Sequence, residues 1–149
     1  MDSKKILIVE DEQSTMKALQ EKFKEGDYQI LEAKNGQEGL EVALREKPDV
    51  ILLDILMPVV DGCAMLKRLR ENAEGIKIPV VIVTNLSFGE LLALAFKVDG
   101  QIVQKEAAAD PKSVAYAISN KEYDYLMKTE CRLEDVVNKV KSKLTAPTS

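Results

Sequence analysis

The chain of 149 residues is one domain's worth of sequence, long enough to bury a sizeable core. With 46% apolar and 31% charged residues it has an ordinary soluble, globular composition, and a net charge of −4 with no basic run gives no electrostatic case for nucleic-acid binding. Histidine is absent, which excludes His-based catalysis and phosphohistidine in this chain; no apolar run is long enough to span a membrane.

The start, Met1-Asp2-Ser3-Lys4-Lys5, does not read as a signal peptide and leads into a strand, Lys5–Val9, that runs into Glu10-Asp11-Glu12. Met16, Leu19 and Phe23 then recur at helical spacing until Gly26-Asp27 closes the helix. Tyr28–Ala33 is a second strand, followed by a turn signal at Asn35-Gly36. Leu40, Ala43 and Leu44 stripe a second helix that ends before Pro48. Val50–Asp54 is a third strand, a helix carrying Met65, Leu66 and Leu69 follows, and Pro79–Thr84 is a fourth strand. Strands alternating with helices of this length imply βαβ units on a parallel sheet covered on both faces, which explains the continuously apolar strands.

After Thr84 the rhythm breaks. Phe88–Phe96 is apolar nearly all round and is expected to pack in the core. Gln101–Gln104 reads as a short strand or a helix end, and Asp110-Pro111 starts a helix to about Asn120. Tyr123–Lys128 reads as a strand. Leu133, Val136, Val137, Val140 and Leu144 mark an amphipathic last helix, with a disordered tail expected over 145–149. Cys63 and Cys131 have no metal-type spacing and are expected to be free thiols of no special role in a reducing cytoplasm.

The chemistry gathers at Asp54. A carboxylate at the C-terminal end of a buried parallel strand is costly unless a metal, a cation or water meets it, and ligands bind at that edge of open α/β sheets. Glu10, Asp11 and Asp54 are expected to converge there. At an effective dielectric of about 20, each like-charged pair at ~4 Å costs on the order of 4 kcal/mol. Mg²⁺, which prefers oxygen ligands, suits such a cluster, and an aspartate can act as a nucleophile toward phosphorus. Glu10-Asp11-Glu12 taken alone would be an acidic helix start, and Thr84 alone an ordinary strand residue.

Taken together, Glu10-Asp11 after the first strand, Asp54 ending the third, Met57-Pro58 and Asp61-Gly62 beyond it, Thr84 ending the fourth and a lysine ending the fifth resemble a response-regulator receiver domain of the chemotaxis-type, single-domain kind. The resemblance covers most of the chain, residues 86–110 excepted. It implies a flavodoxin-like α/β fold, a doubly wound five-stranded parallel sheet of order 2-1-3-4-5, here with an insertion at 88–110 between strand 4 and helix 4, the receiver domain occupying 1–144. It also implies Mg²⁺ held by Glu10, Asp11, Asp54 and the Leu56 carbonyl, phosphorylation on Asp54 by a histidine kinase or phosphotransfer protein, and switched contacts with a downstream protein target. Such a chain is a cytoplasmic signalling protein and not an enzyme in the usual sense, without membrane or nucleic-acid partners. Thr84 and the lysine would contact the phosphoryl group. Glu10 stands where Asp is commoner, and Asn85 where a smaller residue is frequent. Leu56 and Leu86 flank the site where neither can position a water, so slow dephosphorylation is expected.

Two lysines compete for the last place. Lys105 lies at the usual distance past Thr84, but Ile102 stands three residues before it. Lys128 lies further on, yet Tyr125 stands three residues before it, as a receiver's switch aromatic does, and the striped helix from Leu133 follows. Tyr125 reads equally well as a half-buried strand aromatic. Removing about 88–110 restores the usual spacing, so Lys128 is the expected partner of Asp54. The rival function is a receiver-like interaction module, not phosphorylated, that uses the 88–110 insertion. A metal-dependent aspartyl phosphatase ranks low, because Leu56 stands where a second aspartate belongs.

Overall fold

The computed structural model describes residues 3–54, 62–84, 124–127 and 131–145. Five strands, β1 (Lys4–Val9), β2 (Tyr28–Ala33), β3 (Val50–Leu53), β4 (Val80–Thr84) and β5 (Asp124–Met127), form one sheet. All of its ladders are parallel and its order is β2-β1-β3-β4-β5, as the resemblance implied. Four described helices accompany it: α1 (Gln13–Phe23), α2 (Gly36–Glu46), α3 (Gly62–Arg70) and a C-terminal α4 (Leu133–Thr145). A short 3₁₀ turn, Gly75–Lys77, leads into β4.

Alternation along the strands divides the core into two layers. Leu7, Val9, Ile51, Leu53 and Ile82 point to the face covered by α2 and α3, where they meet Ala43, Met65, Leu66 and Leu69. Ile6, Ile8, Leu52 and Val83 point to the opposite face, where α1 supplies Met16, Leu19 and Phe23 and α4 supplies Val136, Val137 and Val140. Each fully buried aliphatic side chain contributes roughly 1.5–3 kcal/mol, so the two layers hold the sheet from both sides.

Among the described residues, the apolar stripes read from the sequence are those that face the sheet, but the strands are not uniformly buried. β3 is buried throughout, whereas the edge strand β2 shows Gln29 and Glu32 to solvent, and β5 is half-buried along its whole length. An edge strand has a neighbour on one side only, so it needs no apolar residue at every position.

Local chemistry sets the helix starts. Asn35-Gly36 is a helix cap instead of a free turn. The Asn35 side chain accepts from the Glu38 amide at 2.9 Å, and the Glu38 carboxylate accepts from the Lys34 amide at 2.7 Å, a near relative of the reciprocal capping box. At the other end of α2, Lys47 takes a left-handed conformation with φ 49°, which ends the helix before Pro48. Gly39 lets α2 lie close on β1. A Cβ there would come within 3.0 Å of both Met65 Sδ and Val9 Cγ2.

Thr145 is the last residue of α4 and so belongs to the helix, not to the tail, because the amphipathic pattern carries the helix one turn past Val140. Residues 146–149 lie outside the described residues, as do Phe88–Phe96, the 88–110 insertion and the helix expected from Asp110.

Candidate functional site

The site is built by the C-terminal ends of β1 and β3, which lie side by side at the centre of the sheet. Val9 pairs with Leu53, so the next residues, Glu10 and Asp54, leave the two strands together. Their backbones are tied in by the continuing ladder. The Glu10 amide donates to the Ala33 carbonyl at 3.0 Å, and the Asp54 amide donates to the Val9 carbonyl at 3.1 Å. The chain then turns at Asp11 into α1, and the Glu12 amide donates to the Glu10 carboxylate at 3.1 Å. That bond fixes one carboxylate oxygen of Glu10 and aligns it with the start of the helix.

Glu10 and Asp54 are only 4% and 7% exposed, while Asp11 is exposed. One oxygen from each of Glu10, Asp11 and Asp54 lies within 4.8 Å of the other two. With all three ionised, each pair at that spacing repels by on the order of 3–4 kcal/mol at an effective dielectric of about 20. Two of the three are also withdrawn from water, which adds a desolvation cost. Three hard oxygen donors gathered at one point fit a small divalent cation such as Mg²⁺, and the exposed Asp11 leaves the cluster open to solvent.

Thr84 is the last residue of β4, and the ladder pairs it with Met127, the last residue of β5. The fifth strand is therefore the one predicted at Tyr123–Lys128, of which Asp124–Met127 are described. Tyr125 is half-buried and packs against the core layer under α2 and α3, beside Ile82 in the ladder. Leu56, Asn85, Leu86, Lys105 and Lys128 lie outside the described residues.

A cavity of about 180 Å³ extends from the acidic edge between the sheet, α1 and the start of α4. Glu10 and Asp54 line it, together with Leu19, Leu52, Cys131 and Val136 among others. Cys131 is half-buried against the core layer of α1 and α4, and burial, with a smaller contribution from Asp135, pushes its thiol above the usual range. It is a packing thiol, held protonated, instead of a reactive thiolate. The apolar side of that role had no signal in the sequence, where Cys131 sits among charged residues.

Comparison with known proteins agrees with this geometry. The chain belongs to the response regulator receiver domain family, whose model matches residues 6–107. It is a receiver domain of the two-component signalling type. It is similar to the protein PilH of Pseudomonas aeruginosa, with 42% identity over 80 residues that cover 54% of this chain and 66% of PilH. It is also similar to the sporulation initiation phosphotransferase F of Bacillus subtilis, 40% identical over 91 residues covering 61% of this chain and 70% of that protein. Among solved structures, the signal receiver domain of a signal transduction histidine kinase from Syntrophus aciditrophicus superposes with a TM-score of 0.70 at 27% identity, covering 99% of this chain and 96% of that one. The matched stretch spans just under two thirds of PilH. The family match ends at residue 107, before β5 and α4, although both occupy the places of the last strand and helix of the fold. No helix among the described residues is long and apolar enough to cross a membrane.

Proposed function

We propose that this chain accepts a phosphoryl group on Asp54 and that this modification switches its contacts with a downstream protein. The observation that carries the reading is the convergence of Glu10, Asp11 and Asp54 at the C-terminal edge of the sheet, with two of the three carboxylates buried. Buried carboxylates in contact with one another are a poor structural device and a good site for a cation and a phosphoryl group.

In this reading Glu10, Asp11, Asp54 and the backbone carbonyl of Leu56 hold Mg²⁺, which when bound offsets the negative charge of the cluster and of the incoming phosphoryl group. An Asp54 carboxylate oxygen attacks phosphorus. A new O–P bond forms as the bond to the donor breaks, and the leaving group departs with that electron pair. A phosphohistidine donor leaves as imidazole, taking up a proton; a small acyl phosphate leaves as a carboxylate. Glu10, fixed by the Glu12 amide, keeps its charge directed at the site. The Thr84 hydroxyl and the Lys128 ammonium hydrogen-bond and pair with phosphoryl oxygens, so that positioning and charge neutralisation supply the acceleration.

The donor is a histidine kinase or a phosphotransfer protein, and the exchange takes place in the cytoplasm, where ATP supplies the phosphoryl groups. Leu56 and Leu86 stand at the two sequence positions that in receivers influence hydrolysis of the acyl phosphate, and an aliphatic side chain cannot position a water, so the modified form is expected to persist for hours. Incubation with acetyl phosphate and Mg²⁺ followed by intact-mass measurement tests the reading. A gain of one phosphoryl group that vanishes in Asp54→Asn and in excess chelator is expected; a gain that survives either change refutes it.

A further inference from the structure

The helices that follow β1 and β2 start in different ways. α2 is capped by its own first residues, Asn35 accepting from the Glu38 amide and Glu38 accepting from the Lys34 amide. At the head of α1 the N-cap residue, Glu12, makes no side-chain cap, and the first turn holds no acidic residue. The Glu12 carboxylate accepts from the Thr15 hydroxyl at 2.5 Å instead. The Glu12 amide is one of the donors that a helix start leaves without an intrahelical partner. Its acceptor comes from outside the helix, the Glu10 carboxylate at 3.1 Å.

That bond joins the acidic edge to a helix that is firmly seated. Met16, Leu19 and Phe23 fix α1 on the sheet, and the Met16 amide donates to the Glu12 carbonyl at 3.0 Å. The Glu10 carboxylate is buried, and a hydrogen bond from an N–H to an ionised acceptor is stronger than one between neutral groups. The partial positive charge at the N-terminal end of α1 favours the carboxylate at the same point. The direction of the Glu10 carboxylate therefore depends on where α1 begins, as well as on the strand that carries it.

We infer that the backbone amide of Glu12 is a positioning group for the cation site: the head of α1 holds Glu10 in place beside Asp11 and Asp54, so that cation binding and the first turn of α1 are coupled. The inference rests on the reading of Glu10, Asp11 and Asp54 as Mg²⁺ ligands. The coupling is reciprocal. An amide that steadies a ligand raises cation affinity, and a cation that holds Glu10 steadies the turn through which Glu12 reaches Met16.

The test compares the full chain with Glu12→Ala and Glu12→Pro. Both remove the Glu12 carboxylate, so their charges match, but only proline removes the N–H. The Glu12 φ of −86° is close to the angle that a proline ring imposes. Mg²⁺ affinity is read by calorimetry, and hydrogen exchange by NMR at the amides of Glu12, Met16 and β3. Relative to Glu12→Ala, Glu12→Pro should bind Mg²⁺ about tenfold more weakly, the loss expected when a group that orients a ligand is removed. Mg²⁺ should slow exchange at Met16 in wild type and in Glu12→Ala, and much less in Glu12→Pro. Equal affinities in the two variants overturn the inference. A second pair needs neither proline nor cation: Glu10→Ala should speed exchange at the Glu12 amide, whereas Glu10→Gln, whose side-chain carbonyl still accepts, should keep it slow. Unaltered exchange in Glu10→Ala refutes the tie, and it is the deciding result where Glu12→Pro also loses protection in β3. Should the wild-type chain bind no Mg²⁺, the reading of the cluster as a cation site fails instead, and exchange at the Glu12 amide judges the tie by itself.

Discussion

The two ends of the candidate site are made in different ways. The carboxylate end stands on β1 and β3, central strands with neighbours on both sides and side chains almost wholly withdrawn from water. The end to which the proposed function assigns Thr84 and Lys128 depends partly on β5, an edge strand that is half-buried and tied by ions to α4. A divalent cation needs ligands held closely in place, and a packed, twice-flanked strand provides that. A group that must move between an unmodified and a phosphorylated state is better placed on an element with few buried contacts. The contrast separates a rigid half from an adjustable half within one sheet.

The largest expected effect breaks the rigid half. Asp54→Asn should abolish phosphorylation altogether, and Asp11→Asn should weaken Mg²⁺ binding by about tenfold or more. The same substitutions should raise the thermal midpoint measured without Mg²⁺, because each removes a repelling charge from a cluster whose oxygens lie within 4.8 Å of one another. Added Mg²⁺ should stabilise the wild-type chain by mass action and the variants much less. A scan in which Mg²⁺ stabilises Asp11→Asn as strongly as wild type would show that the cluster is not the cation site.

The adjustable half is tested by the two lysines. Lys128→Ala should lower the rate or yield of phosphorylation by about tenfold or more, since the proposed function gives its ammonium the neutralising of phosphoryl charge. Lys105→Ala should leave both near wild type. The reverse result would place Lys105 at the site, as the spacing from Thr84 taken alone suggests, and would leave β5 without a part in the chemistry.

Both halves were legible in the sequence to different depths. After β1 and β2 the helix follows its strand within a few residues, and after β3 within eight, so local signals sufficed. The stripe Met16, Leu19, Phe23 and the run Val50–Leu53 face where the pattern puts them. The acidic cluster was legible because Val9 and Leu53 pair, a consequence of strand order that periodicity alone does not provide. Other features were hidden. Asn35 reads as a turn residue until Glu38 is seen to close the cap on the Lys34 amide. Gln29 and Glu32 spoil an apolar pattern that only central strands require. The ion pairs of Asp124 with Lys139 and Lys143 could not be read at all, since helical spacing shows that the two lysines share a face but not what that face meets. The family match likewise stops at residue 107 while the sheet goes on to take 124–127 as its fifth strand. The long stretch of sequence between β4 and β5 separates two strands that lie side by side in the sheet.

Core truncations measure the contrast directly. Leu53→Ala, in a strand where every residue is buried, should cost roughly 2–5 kcal/mol of unfolding free energy in a denaturant titration. Leu126→Ala, half-buried on β5, should cost about half as much, because less apolar surface leaves water at that position on folding. Equal costs for the two would mean that β5 is as firmly packed as the centre of the sheet, and the division into rigid and adjustable halves would not stand.

The smallest effect concerns Cys131, which borders the cavity between the acidic edge and α4. Burial and, to a lesser degree, Asp135 raise its pKa above the ordinary thiol value of 9.0. A group whose folded pKa is raised contributes stability that is fully present below the unfolded value and is lost as pH rises through the folded one. Stability attributable to this thiol should therefore hold across the neutral range and fall only above about pH 9. In a Cys63→Ser background, alkylation of Cys131 by iodoacetamide at neutral pH should be slower in the folded chain than in urea, since both burial and a smaller thiolate fraction oppose it. Asp135→Asn should speed that alkylation modestly by removing the lesser of the two causes. Reaction in the folded chain as fast as in urea would show that the thiol is open to solvent and that the start of α4 is not seated against the sheet.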